Sequence, residues 1–306
     1  MHIYDLIIIG SGPAGLAAAI YASRAELDFI IIERSGVSGG QVQSTYEVDN
    51  YPGMPGISGA DLSTAMRNHC ESLGANFITD EVKSISRSSQ LFSIDTWDGS
   101  SYAARTVIAA TGASHRHLGC QGEEDFAGMG VSYCATCDGA FFKGRKCAVI
   151  GGGDVAVEDA LYLSKIARQV YLIHRRDEFR ATPALVTEAH AVPNIEFLTP
   201  MTVEAVNGSD MVESIVLHSL VSDEITSLAV DGVFVAVGIT PETELFKGLA
   251  DCDEAGYIIA GENCATSCPG LYAAGDLRTK PLRQIITAAA DGANAVTELL
   301  KYLKTL

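Results

Sequence analysis

Two cysteines three residues apart open the segment Cys134-Ala135-Thr136-Cys137-Asp138-Gly139. Thiols at that spacing can close a disulfide, with one thiolate acting as nucleophile while the other accepts electrons. Asp138 places a carboxyl beside them, able to move protons as the thiolates come and go. The same pair could be half of a zinc site, since structural zinc takes four ligands and Cys264 with Cys268 could complete a set. Their spacing is not that of a zinc knuckle, so no metal is expected. Two inert core thiols are a second alternative, but Asp138 and Gly139 do not look like core residues.

A dithiol that turns over needs an electron carrier, and two other segments offer places for one. The first runs from the apolar strand Ile3 to Ile9 into Gly10-Ser11-Gly12-Pro13-Ala14-Gly15. An Ala-rich helical run to about Arg24 follows, then a strand from Phe29 to Ile32. The second runs from Cys147-Ala148-Val149-Ile150 into Gly151-Gly152-Gly153-Asp154-Val155-Ala156, then a helix to about Ala167 and a strand from Gln169 to Ile173. Each is strand, glycine turn, helix, strand, the opening of a dinucleotide-binding fold. Glycine is 30 of 306 residues, so one such match is weak; two, each in the right setting, are strong. The glycines permit the turn and let the backbone approach a pyrophosphate seated on the helix N-terminus, and the last position must be small for packing.

The end of the second strand in each copy reads the ribose. In the first copy it is Glu33, whose carboxylate accepts from ribose hydroxyls and repels a 2′-phosphate, so FAD or NAD fits there. In the second it is His174-Arg175-Arg176, with Arg180 one helical turn on. Guanidiniums at that place suit an adenosine 2′-phosphate, as in NADPH. A solvated basic run on a loop is the plainer alternative. Two later buried strands end in Ala110-Thr111-Gly112 and in Ala274-Gly275-Asp276. They are similar to the short motifs of two-dinucleotide flavoproteins, in which the final Asp touches the ribityl chain of the flavin.

With these motifs together, the chain resembles the small, low-molecular-weight thioredoxin reductases over nearly its whole length. That family carries C-A-T-C-D-G, a G-G-G turn, an H-R-R-D-x-F-R-A segment and a final A-G-D, all present here. It also carries G-G-Q, matched by Gly39-Gly40-Gln41; N-x-P-G, matched by Asn50-Tyr51-Pro52-Gly53; and R-Q, matched by Arg283-Gln284 and followed by Ile285. The resemblance implies FAD in the first site and NADPH in the second. Cys137 would face the flavin, Cys134 would attack the disulfide of thioredoxin or a thioredoxin-like protein, and Asp138 would be the acid/base. It also implies a homodimer. One departure stands out, because the family usually has Ser or Thr where this chain has Val155. Valine cannot supply a hydroxyl to a helix start or a phosphate, which keeps ferredoxin open as the electron source. A related dithiol oxidase is a further alternative, and a non-catalytic redox sensor is the reading from another class.

The elements that must position these residues form an α/β fold of two Rossmann-like, three-layer ββα domains, the second inserted into the first. Residues 1–112 and 242–306 would bind FAD, and residues 113–241 would bind NADPH and carry the C-x-x-C. Nicotinamide site and dithiol thus ride on one domain and must meet the same flavin in turn. Chain order therefore predicts a rotation, with hinges at 112–114 and 238–241. At 306 residues, 47% apolar and 19% charged, the chain can build two cores. A net charge of −17 argues against a nucleic-acid partner. No stretch is long and apolar enough to span a bilayer. No targeting segment is recognised, and eight cysteines are too few for a disulfide scaffold, so the cytoplasm is expected. Trp97 beside Asp98-Gly99 reads as a hairpin without evident function.

Overall fold

The computed structural model describes residues 2–45 and 47–306. Strand β1 (Ile3–Ile9) leads through the glycine turn into helix α1 (Pro13–Arg24), and β2 (Phe29–Glu33) returns parallel to β1. Pro13 begins α1, where a missing N–H costs nothing and the fixed φ suits a helix. Helix α2 (Gly59–Ser72) starts at Ser58, whose side chain accepts from the Asp61 amide. Then come β3 (Phe77–Thr79), β4 (Val82–Ser88), β5 (Leu91–Thr96) and β6 (Ser101–Ala109). The turn at Trp97-Asp98-Gly99 does join two antiparallel strands, β5 and β6.

After β7 (Ala113–His115) come β8 (Val131–Ser132), the single turn α3 (Ala135–Asp138) and β9 (Lys146–Ile150). Helix α4 (Asp154–Ser164), β10 (Gln169–Ile173), α5 (Pro183–His190) and β11 (Ile195–Leu198) follow. A three-stranded antiparallel sheet, β12 (Met201–Gly208), β13 (Val212–Ser219) and β14 (Ile225–Ala229), precedes β15 (Gly232–Val235). The chain closes with β16 (Ile239–Pro241), β17 (Leu271–Ala273) and α6 (Ile285–Leu303). Helix α4 ends three residues before the expected Ala167. Ile166 and Ala167 instead form the turn that drops the chain into β10, with Ala167 packed in the core.

Two compact units result, one of Met1–Ser114 with Thr240–Leu306, the other of His115–Ile239. In the first, the strand order is β3-β2-β1-β6, with β17 parallel to β6 and the β5-β4 hairpin branching from β6. Side chains of β1 alternate between faces, so both faces must be apolar. Leu6 and Ile8 pack with Leu16 of α1 and with Val296 and Leu299 of α6. Ile7 and Ile9 pack on the other face with Phe92 and Ile94 of the hairpin. Each of these fully buried side chains contributes roughly 1.5–3 kcal/mol. Small residues let α1 and α6 touch closely, and a methyl on Gly292 would come within 2.2 Å of the Ala14 carbonyl oxygen.

The second unit repeats the plan with β11-β10-β9-β15-β8, all parallel. Cys147 and Val149 face α4, while Ala148 and Ile150 face the antiparallel sheet. Both sheets therefore present the carboxyl ends of their central strands at a glycine turn, the place where such folds bind ligands.

Candidate functional site

In the first unit a cleft of about 550 Å³ opens over the glycine turn between β1 and α1. Gly10 has φ of +101°, and a Cβ there would lie 2.5 Å from the Ala110 carbonyl oxygen, so only glycine fits. Gly15 lies beneath, where a Cβ would meet the Gly10 oxygen at 2.0 Å. Gly12 caps α1 without a side-chain hydrogen bond and nothing lies within 4 Å of where its Cβ would be. That leaves the first-turn amides and an open approach for a pyrophosphate.

Gly10, Gly12, Pro13, Ala14 and Glu33 line this cleft, as do Gly40 and Gln41. Ala110, Thr111 and Gly112 line it from the end of β6, and Gly275, Asp276, Gln284 and Ile285 from the segment after β17. Glu33 accepts hydrogen bonds from the Ser11 amide and hydroxyl, both at 2.7 Å. Three expected residues sit outside the lining. Gly15 packs below it, Asn50 donates to the Gln284 side chain at 2.9 Å, and Arg283 lies 4.1 Å over the Tyr257 ring. Arg283 also donates from Nε to the Asp276 carbonyl oxygen at 3.4 Å.

Asp276 is a direct test of fit for a flavin dinucleotide. Its Oδ1 is buried with no hydrogen-bond partner among the described residues. Burial raises its pKa, against the lowering pull of Lys280 and Arg283. A buried oxygen left unpaired costs about 1–3 kcal/mol, so the position calls for a donor such as a ligand hydroxyl. Beneath it Asp291 of α6 accepts from the Gly275 amide at 2.9 Å, from Arg278 at 2.7 and 3.0 Å, and from Lys280 at 2.7 Å. Sequence reasoning missed Asp291, whose only signal is a buried-face acid in an apolar helix.

In the second unit Cys134 and Cys137 are joined in a disulfide at the start of α3. Ser132, at the end of β8, accepts from the Cys134 amide at 3.1 Å and donates to Asp138 Oδ2 at 2.6 Å. The other oxygen of Asp138, Oδ1, is buried without a partner among the described residues. Burial raises the Asp138 pKa, and the Ser132 hydrogen bond works against that rise. A carboxyl poised in this way can hold or release a proton beside the sulfurs. Ser132 was not visible as a site residue, since a serine two positions before a cysteine carries no signal alone. The six other cysteines are free thiols. Burial pushes Cys70, Cys147 and Cys264 up to about 12, which makes them inert.

The second glycine turn is arranged like the first. The His174 ring covers Gly152, where a Cβ would meet the ring at 2.2 Å. The Arg180 amide donates to the Gly152 oxygen at 2.7 Å, which brings the basic segment back over the turn. Arg175, Arg176 and Arg180 are exposed there. Gly153 caps α4 without a side-chain hydrogen bond, Ala156 is buried, and Asp154 accepts from the Thr182 amide and hydroxyl. His174 Nε2 is buried and unpartnered among the described residues. Burial lowers the His174 pKa, and Arg180, Arg175 and Arg176 lower it further, so the ring is neutral. Free amides, an orphan ring nitrogen and three guanidiniums fit a phosphorylated nucleotide. Val155, 61% exposed in the first turn of α4, adds no hydroxyl.

The family model described as pyridine nucleotide-disulphide oxidoreductase matches residues 4–292. A thioredoxin reductase of Listeria innocua is 47% identical over 305 residues, covering 99% of this chain and 95% of that one. A bifunctional thioredoxin reductase/thioredoxin of Mycobacterium leprae is 45% identical over 98% of this chain and 66% of its own length. Among solved structures, the thioredoxin reductase of Streptococcus pyogenes matches with a TM-score of 0.95, at 43% identity over 99% of both chains.

Proposed function

The chain belongs to the pyridine nucleotide-disulphide oxidoreductase family, and from that premise we propose that it is a thioredoxin-disulfide reductase using FAD and NADPH. The observation that carries this reading is the Cys134–Cys137 disulfide with the unpaired, buried oxygen of Asp138 beside it.

The proposed site assignments follow from the geometry of each unit. The cleft over Gly10 and Gly12 would hold FAD, with Glu33 on the ribose and Asp276 on a ligand hydroxyl. The turn at Gly151–Gly153 would hold NADPH, with Arg175, Arg176 and Arg180 on its 2′-phosphate. When bound, the two cofactors would supply a hydride's two electrons, which reduce the Cys134–Cys137 disulfide to the dithiol.

The chain's own thiols do the rest by exchange. The Cys134 thiolate attacks one sulfur of the thioredoxin disulfide, and the second thioredoxin sulfur leaves as a thiolate and takes up a proton. Cys137 then attacks Cys134 Sγ. The mixed disulfide breaks, the Cys134–Cys137 bond re-forms, and both substrate sulfurs depart reduced. Two electrons pass from the pair to the substrate, and Asp138 carries a proton to or from the leaving thiolate.

Because the dithiol and the NADPH site belong to one unit and the FAD cleft to the other, we expect the units to turn on their two crossings during each cycle. A homodimer in the cytoplasm, without nucleic-acid or membrane partners, completes the proposal. The charge of −17 speaks against a nucleic-acid partner, and no described helix is long and apolar enough to cross a membrane. Val155 adds no hydroxyl at the start of α4, but Arg175, Arg176 and Arg180 support NADPH over ferredoxin as the electron source. Cys134→Ser tests the assignment: it should keep NADPH-dependent flavin reduction and abolish thioredoxin reduction. Continued thioredoxin reduction by that variant would place the chemistry elsewhere.

A further inference from the structure

We propose that Trp97 is the stacking platform for the purine base of the dinucleotide held in the first unit's cleft. This deepens the flavin reading and rests on it. Trp97 is the chain's single tryptophan and is 64% exposed, although exposed surface is a poor place for so large an apolar ring. It lines the cleft, and it is the one aromatic residue among the described residues that do.

Its place in the cleft is set by a short chain of contacts. Glu33, where the ribose is read, accepts the Asp80 amide on its carbonyl at 2.9 Å. The next residue, Glu81, accepts the Trp97 amide on its carbonyl at 3.0 Å. Trp97 therefore stands just past the ribose-reading carboxylate, on the side of Asp80 and Glu81. Asp276, Gln284 and Ile285 line another part of the cleft, reached from β17 and α6. A base follows its ribose, so the purine must fall at the Trp97 side.

The ring is also held ready. Lys83 Nζ lies 5.0 Å from its centroid, a cation–π contact. The hairpin beneath is fixed by Asp98 Oδ1, which accepts from Thr96 Oγ1 and from the Ser100 amide, each at 2.8 Å. An indole face stacks on any base, and covering it with a purine removes exposed apolar surface from water.

The test compares the full-length apoprotein with Trp97→Ala and Trp97→Phe by titration with FAD, followed by the change in flavin fluorescence. Trp97→Ala is expected to weaken FAD binding roughly 5- to 150-fold, the range of one base–aromatic stack. Trp97→Phe should restore most of it. The apoprotein melting temperature should be the same in all three, because the ring supports no core. An FAD affinity within twofold of the parent in Trp97→Ala overturns the proposal. So does a loss of affinity matched by a lower apoprotein melting temperature, which would make Trp97 structural. If the parent apoprotein takes up no FAD at all, the flavin reading itself fails, a result distinct from either.

Discussion

Ser132 donates its hydroxyl to Asp138 Oδ2 at 2.6 Å, and the facing oxygen, Oδ1, is buried with no partner among the described residues. The carboxyl beside the redox pair is thus half satisfied, and its proton affinity is set by two opposed effects. Burial raises it and the serine lowers it. Removing the serine hydroxyl with Ser132→Ala should move the Asp138 titration to higher pH, read as a displaced limb in the pH profile of kcat/KM. An unmoved profile would mean that Asp138 does not carry the proton. Asp138→Asn should lower thioredoxin reduction by about 10²- to 10⁴-fold.

The same shift makes a statement about stability. A carboxyl with a raised folded pKa favours folding while protonated, and that contribution is lost as pH rises through the folded value. At pH 8 the buried Asp138 charge therefore burdens the fold, and at pH 4 much less so. Asp138→Asn should gain melting temperature against the parent at pH 8 and gain less at pH 4. An equal change at both values would contradict the raised pKa.

Asp291 behaves in the opposite sense. Burial alone would raise its pKa, but hydrogen bonds from Arg278 and Lys280 hold it below the ordinary carboxylate value. Its stabilisation is present above that ordinary value and is lost as pH falls through the lower folded one. All three side chains are 4% exposed, so removing the acid leaves two buried cations. Asp291→Ala should cost about 3–5 kcal/mol in a denaturant titration at pH 7. It should also weaken FAD binding, because the carboxylate holds the Gly275 amide next to Asp276. Thermal stability that is unchanged at pH 7 would show the network to be idle.

The two glycine turns, the thiol pair and the strand ends were legible in the sequence because each is local. Gly10 to Gly15 or Cys134 to Asp138 can be read from spacing and residue type alone. Ser132, Asp291 and Trp97 were not legible, for a shared physical reason. Each acquires its role from a partner elsewhere in the chain or from a place in a cavity: Gly275 lies on a different segment from Asp291, and Glu81, just before β4, is far along the chain from the Trp97 turn. Asn50 and Arg283 stand just outside the cleft lining, where Asn50 donates to the lining residue Gln284 and Arg283 lies over Tyr257.

In the proposed reading, the choice of nicotinamide cofactor rests on Arg175, Arg176 and Arg180. Each charge-assisted hydrogen bond to a phosphate contributes about 1.5–3 kcal/mol. Replacing Arg175 or Arg180 with Ala should therefore raise KM for NADPH roughly 10- to 150-fold, with NADH, which lacks the phosphate, left nearly unchanged. Parallel losses for both nucleotides would reassign these residues to a general electrostatic role. Val155→Thr, which adds a hydroxyl at the exposed start of α4, should lower KM for NADPH.

The central claim is that electrons from NADPH pass by way of a bound flavin into the Cys134–Cys137 bond. Anaerobic addition of NADPH to the purified protein, followed by thiol counting after denaturation, tests it most directly. The account predicts a yellow protein whose visible band bleaches and whose six free thiols become eight. A protein that stays colourless in the presence of FAD, or one that bleaches while the count remains six, would contradict it.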